Sequence, residues 1–154
     1  MAPQKSEPIH ILLAEDDPDD RQFFQEALAE AQISSTLTSV EDGLQLMKYL
    51  EEPDGQRPDI IFLDINMPYK DGKECLKEIR RNQKFKDVPV VMFSTSSYKT
   101  DIEETFANGA NMYVSKPVFF EDVVNILKQI FSLNWQKELL IRDRKRFLML
   151  AMIT

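Results

Sequence analysis

Residues 9–20 read IHILLAEDDPDD, an apolar run from Ile9 to Ala14 that stops abruptly against Glu15-Asp16-Asp17-Pro18-Asp19-Asp20. Five carboxylates fall within six positions, and each raises the cost of ionising its neighbours. Such crowding persists when some of the acids face water and cap a helix, or when some share a cation. The Asp17-Pro18 step divides the two groups. Asp17 reads as an N-cap ahead of a first-turn proline, and Asp19 and Asp20 favour the positive end of the helix that follows. Glu15 and Asp16 remain, at the end of a segment of strand length.

The same grammar recurs along the chain. Apolar runs of strand length occupy residues 60–63 (IIFL), 88–93 (VPVVMF) and 112–114 (MYV), with a weaker one at 36–40 (TLTSV). Between them the apolar residues follow the helical repeat. Phe23, Phe24, Ala27, Leu28 and Ala31 mark the first helix, and Leu44, Met47, Lys48 and Leu50 the second. Cys75, Leu76, Ile79 and Arg80 mark the third, and Ile102, Phe106 and Ala107 the fourth; a fifth begins near Phe120. Asp54-Gly55 and Arg57-Pro58 punctuate the loop before the third strand, and Gly109 closes the fourth helix. Strand and helix alternate five times, which predicts an α/β domain with a parallel sheet covered on both faces.

The 154 residues suit one core, placed here at 9–133, with a short tail at 1–8 and an extension, helical in pattern, at 134–154. Hydrophobic residues at 43% and charged residues at 29% are ordinary for a folded chain. The net charge of −7 divides into −10 for the body and +3 from Asn134 onward. The body repels nucleic acid, and so short a basic tail reads as a solvated helix face. No apolar run approaches the roughly 18 residues of a membrane span, and the N-terminus lacks a signal-peptide pattern, so a cytoplasmic location is expected. Cys75 stands alone, which excludes an internal disulfide and a cysteine metal cluster. His10, on the first strand, reads as a packed histidine and not as a phosphocarrier.

In an open parallel sheet, ligands bind beyond the carboxyl ends of the strands. Those ends are polar here: Glu15-Asp16, Asp64-Ile65-Asn66, Ser94-Thr95 and Ser115-Lys116-Pro117. With the first and third strands adjacent, Glu15 and Asp16 would face Asp64, and three such acids favour a hard cation. An oxygen-only, incomplete ligand set suits Mg²⁺, for which Mn²⁺ can substitute. Lys116 adds a mobile positive charge, and Ser94, preferred to Thr95 by its register after Pro89, adds a hydroxyl donor. Acid, metal, lysine and hydroxyl together make a phosphoryl site. A carboxylate can be its nucleophile, and Asp64, followed by the turn Asn66-Met67-Pro68, is the best placed.

These motifs resemble the receiver domains of two-component response regulators of the chemotaxis-regulator type, across about residues 9–133. The resemblance rests on Glu15-Asp16, on Asp64 in IIFLDINMP, on Asp71-Gly72, on Ser94 in VVMFSTSS and on Lys116-Pro117 in YVSKP. It implies a doubly wound, flavodoxin-like sheet of order 2-1-3-4-5. It also implies phosphorylation of Asp64 by a sensor histidine kinase or phosphotransfer protein, with Mg²⁺ held by Asp16, Asp64 and the backbone carbonyl of Asn66, and by Glu15 through water. By the same resemblance Lys116 pairs with the phosphoryl group, Ser94 moves to bond it, and Tyr113 rotates inward as a switch. The family often carries threonine at the place of Ser94 and aspartate at that of Glu15; both replacements keep the functional atoms. Asn66, Thr95 and Ser96 flank the path of attacking water, and slow self-catalysed dephosphorylation is expected.

Three other functions compete, one of them an FMN carrier of the flavodoxin type, whose phosphate Glu15-Asp16-Asp17 would repel. A Mg²⁺-dependent phosphohydrolase with an aspartate nucleophile needs a second acid two residues later, where Asn66 stands. A receiver-like adaptor that works without phosphorylation is disfavoured by the completeness of the site. Output by protein contact is expected. The extension, ending in FLMLAMI at residues 147–153, either folds back on its own domain, forms a homodimer seam or meets a partner or a membrane surface. The bare receiver with its tail also resembles the small regulators that serve phytochrome-type kinases.

Overall fold

The computed structural model describes residues 8–132, 134–140 and 147. Five strands alternate with five helices and a sixth helix follows: β1 Ile9–Ala14, α1 Pro18–Glu30, β2 Ser35–Val40, α2 Gly43–Glu51, β3 Ile60–Leu63, α3 Gly72–Arg81, β4 Val90–Ser94, α4 Lys99–Ala107, β5 Met112–Ser115, α5 Phe120–Ile130 and α6 Trp135–Leu140. Most of the expected tail at 1–8, and residues 133, 141–146 and 148–154 of the rest, lie outside the described residues.

The strands pair in parallel in the order β2-β1-β3-β4-β5. Side chains alternate across a strand, and both faces are covered, so the alternation sorts apolar residues into two cores rather than into core and solvent. Leu12, Ala14, Ile61, Leu63 and Met92 join the core under α2, α3 and α4. Ile11, Leu13, Ile60, Phe62 and Val91 join the core under α1 and α5, where Phe24 meets Phe62 and Phe93 edge to face.

Helix starts follow local chemistry. Asp17 caps α1, its Oδ1 accepting from Asp19 N at 2.8 Å and Asp20 N at 3.4 Å, with Pro18 in the first turn. Asp42 caps α2, and Asp71 forms a capping box with Glu74 on α3. Gly109 follows the C-cap Asn108 with φ of 102°, a conformation that favours glycine, and its carbonyl accepts from Arg80 Nε at 2.9 Å.

Three expectations need correction. β4 begins at Val90, not at residue 88, and runs through Ser94. Pro89 has no N–H for the ladder and contributes only its carbonyl, to Ile61 N at 2.9 Å. On α2 the inward residues are Leu46 and Leu50, with Leu44 exposed, because Gly43 is pressed against Lys70 and turns that face of the helix inward. On α4, Thr105 is buried while Ala107 is exposed; the Thr105 hydroxyl satisfies itself on Asp101 O at 2.8 Å, so a polar residue occupies the inner face.

Candidate phosphoryl and metal site

Pairing brings the strand ends level. Ala14 pairs with Leu63, so Glu15 lies beside Asp64, whose N–H donates to Ala14 O at 3.1 Å. Leu63 pairs with Met92, which sets Ser94 one residue beyond the level of Asp64, and Ser94 pairs with Ser115, which brings Lys116 to the same rim. Carboxylate oxygens of Glu15, Asp16 and Asp64 lie within 4.8 Å of one another, close enough to share a cation. Glu15 and Asp64 are buried at 2% and 6% exposure, while Asp16 faces solvent.

One Lys116 ammonium serves this acidic group. It pairs with Glu15, lies 3.4 Å from Asp64 Oδ2, and donates to Asp20 Oδ2 at 3.0 Å. Burial pushes the Glu15 carboxyl up to about 7, against the pull of Lys116. Burial alone would lower the Lys116 ammonium, but the charges of Asp64 and Glu15 hold it above its ordinary value. Asp64 Oδ1 is buried and has no hydrogen-bond partner. A buried carboxylate oxygen left bare is costly, and a cation held by the three acids would offset that cost. The donor set is all oxygen and incomplete, which suits Mg²⁺ or Mn²⁺.

The loop after β3 explains Asp71-Gly72 physically. Gly72 N donates to Ile65 O at 2.8 Å, folding the loop back on itself, and a Cβ at Gly72 would run into the Asp64 carbonyl. Asn66 stands two residues beyond Asp64 with its side chain exposed. Tyr69 in the same loop has φ of 70° and is exposed.

Ser94 is buried at the tip of β4, its Oγ accepting from Ser96 N at 3.2 Å. Tyr113 is also buried, and its phenol donates to Ser96 O at 2.8 Å; burial pushes that phenol up. Ser96 Oγ donates in turn to Asp101, which pairs with Lys73 of α3. Thr95, the residue set aside in favour of Ser94, is exposed and lines an open cavity with Lys116. His10 is packed as expected, with Nδ1 3.1 Å from Arg57 O and Nε2 3.0 Å from Thr38 Oγ1.

Two residues at the site escaped the sequence reading. Arg21 Nη1 donates to Glu15 O at 2.8 Å and Asp16 O at 3.1 Å, fixing the loop that presents both acids. Asp20 holds Lys116. Helix geometry offered a signal for both, since side chains in the first turns of α1 lean back toward the helix N-terminus and hence toward the rim.

Comparison with known proteins agrees with this geometry. Residues 11–128 match the response regulator receiver domain family. The chain is 34% identical over 136 residues to response regulator Rcp1 of Synechocystis, covering 86% of this chain and 92% of that one. Among solved structures it is similar to the phosphorylated cyanobacterial phytochrome response regulator RcpA, at 37% identity and a TM-score of 0.75, covering 80% of this chain and 91% of that one. It is also similar to the Mn²⁺-bound form of Rcp1, at 35% identity and a TM-score of 0.74, covering 82% and 94%. With its acidic cluster at the ends of β1 and β3 and its lysine at the end of β5, the chain belongs to the receiver-domain family of two-component response regulators.

Proposed function

We propose that Asp64 is the phosphoacceptor of a signalling protein that takes its phosphoryl group from the phosphohistidine of a sensor kinase or phosphotransfer protein. The observation that carries this is the unpartnered, buried Oδ1 of Asp64, set beside Glu15, Asp16 and Lys116. An Asp64 oxygen attacks phosphorus, the nitrogen–phosphorus bond of the donor breaks, and its electron pair stays on the imidazole nitrogen. Asp16, Asp64 and the Asn66 carbonyl would hold the cation, and Glu15 would act on it through water. When bound, Mg²⁺ neutralises charge shared between the carboxylates and the phosphoryl oxygens. Lys116, beside Glu15 and Asp64, supplies the remaining positive charge.

Ser94 gives its hydroxyl to the new phosphoryl group. That pull is felt at Ser96, whose N–H bonds Ser94 Oγ, and through the Ser96 carbonyl at the Tyr113 phenol. Tyr113 thereby reports the state of Asp64 to the α4–β5 face. Transfer and hydrolysis are both accelerated by the chain's own site, the second slowly, because exposed Asn66 and Thr95 leave water unguided beside the acyl phosphate. The protein acts in the cytoplasm, where kinases draw phosphoryl groups from ATP, and signals by contact with a target or with a second copy.

Phosphoramidate, whose nitrogen–phosphorus bond imitates phosphohistidine, tests the reading. With MgCl₂ the chain should gain one phosphoryl group that hydroxylamine removes, as it removes acyl phosphates, and EDTA should prevent the gain. An adduct resistant to hydroxylamine, or one formed equally in EDTA, would place the phosphoryl group elsewhere.

A further inference from the structure

Lys116 has three acidic partners, and one of them lies outside the motifs of the site. Glu15 and Asp64 are buried, so a charge left on either without the ammonium would be costly. Asp20 differs. Its side chain is 39% exposed, and water can solvate it once the ammonium leaves. The Lys116 side chain, by contrast, is 10% exposed and has its ammonium 3.0 Å from Asp20 Oδ2. Asp20, Lys116, Thr95 and Pro117 line an open cavity of about 400 Å³. Lys116 also meets buried Glu15 and Asp64, so the Asp20–Lys116 pair links that cavity to the buried acids.

We propose that Asp20 is a positioning residue for phosphoryl transfer, which restrains the Lys116 ammonium on the cavity side until the phosphoryl group takes it over. The proposal rests on Asp64 being the phosphoacceptor. When the Asp64 oxygen–phosphorus bond forms and the donor nitrogen keeps the electron pair, the Asp64 carboxylate gives up its single charge and the phosphoryl oxygens carry two, so one further negative charge faces Lys116. A doubly charged phosphoryl group outcompetes one half-solvated carboxylate for the ammonium, and Asp20 is released to water. With its carboxylate partly open to water, this pair is weak enough to exchange in this way. Restraint has a kinetic consequence. Without the Asp20 charge, Lys116 keeps only its two buried partners, is no longer held from the cavity side, and meets the donor sooner.

The test follows phosphorylation by intact mass with phosphoramidate and saturating MgCl₂. Asp20→Asn should accelerate it about three- to fivefold, the range a partly exposed ion pair supplies. Asp20→Glu, which keeps the carboxylate, should stay within about 1.5-fold of the native rate, and Asp20→Asn in a Lys116→Ala background should change that background's rate by no more than about 1.5-fold. A rate unchanged or slowed by Asp20→Asn, or an equal acceleration without Lys116, overturns the proposal. A second measurement needs no transfer: in ¹⁵N-lysine-labelled, metal-free protein the Lys116 ammonium signal should shift on Asp20→Asn, and an unmoved signal also overturns it. Failure of the Asp64 reading looks different, as no adduct on the native chain, and it removes this proposal with it.

Discussion

At the scale of single residues, burial and the Lys116 charge pull Glu15 in opposite directions, and burial prevails. The folded value of Glu15, about 7, lies above its ordinary 4.5. Its contribution to stability is therefore complete below the ordinary value and is lost as pH rises through about 7, where burial opposes ionisation. A cation between the acids offsets that loss. The stabilisation of the fold by Mn²⁺, read as a shift in melting temperature, should grow from pH 5 to pH 8; a shift independent of pH over this range would contradict the assignment of Glu15 to the cation site. Gly72 supports the same site from the backbone. Gly72→Ala sets a Cβ against the Asp64 carbonyl, and should lower stability by about 2 kcal/mol in denaturant titration while slowing phosphorylation. A neutral substitution would show that the loop does not close on Asp64 as described. Glu15, Asp16, Asp64, Ser94 and Lys116 were legible because each stands where an apolar run ends, a place one-dimensional pattern marks well. Asp20 was not, because helix-end chemistry accounted for it equally well.

At the scale of elements, legibility followed burial. β3 is a continuous apolar run and β1 one broken only by His10, both covered on both faces, and they stand out in the sequence. β2 lies at the sheet edge with mixed burial, so its alternation is faint. Helix faces were read less well, since periodicity gives a stripe but not the rotation that seats it, as Leu44 and Leu46 on α2 show. Long polar connections were not legible at all. Arg80 of α3 donates to Gly109 O, to Val88 O at 2.8 Å and to Asn111 Oδ1 at 2.7 Å, and Asn111 Nδ2 donates to Leu139 O at 2.8 Å. This chain of bonds ties α3, β4, β5 and α6 together at the end of the sheet away from the phosphoryl site. Arg80→Ala leaves several carbonyls without donors and should cost about 2–4 kcal/mol in denaturant titration, with Arg80→Met, which restores only the packed stem, recovering less than half. Full recovery by methionine would show that packing, not bonding, holds these elements.

At the scale of the whole molecule, the extension meets its own domain wherever it is described. Trp135 packs on Phe131, Leu139 is buried in the α1–α5 core, and Phe147 is buried on the other side against Phe106 of α4 and Tyr113 of β5. Among the described residues, no helix is long and apolar enough to cross a membrane. Phe147→Ala should cost about 3 kcal/mol, the usual range for emptying a buried aromatic site, without changing the mass measured by light scattering. A monomer–dimer shift instead would assign Phe147 to a seam between copies. The phosphoryl site and this aromatic seat share Tyr113, so the account turns on whether Asp64 is chemically competent. The most direct measurement is the intact mass of the native chain and of Asp64→Asn, each incubated with phosphoramidate and MgCl₂. The account predicts one added phosphoryl group on the native chain and none on the variant. Equal addition to both, or none to either under donor excess, would contradict it.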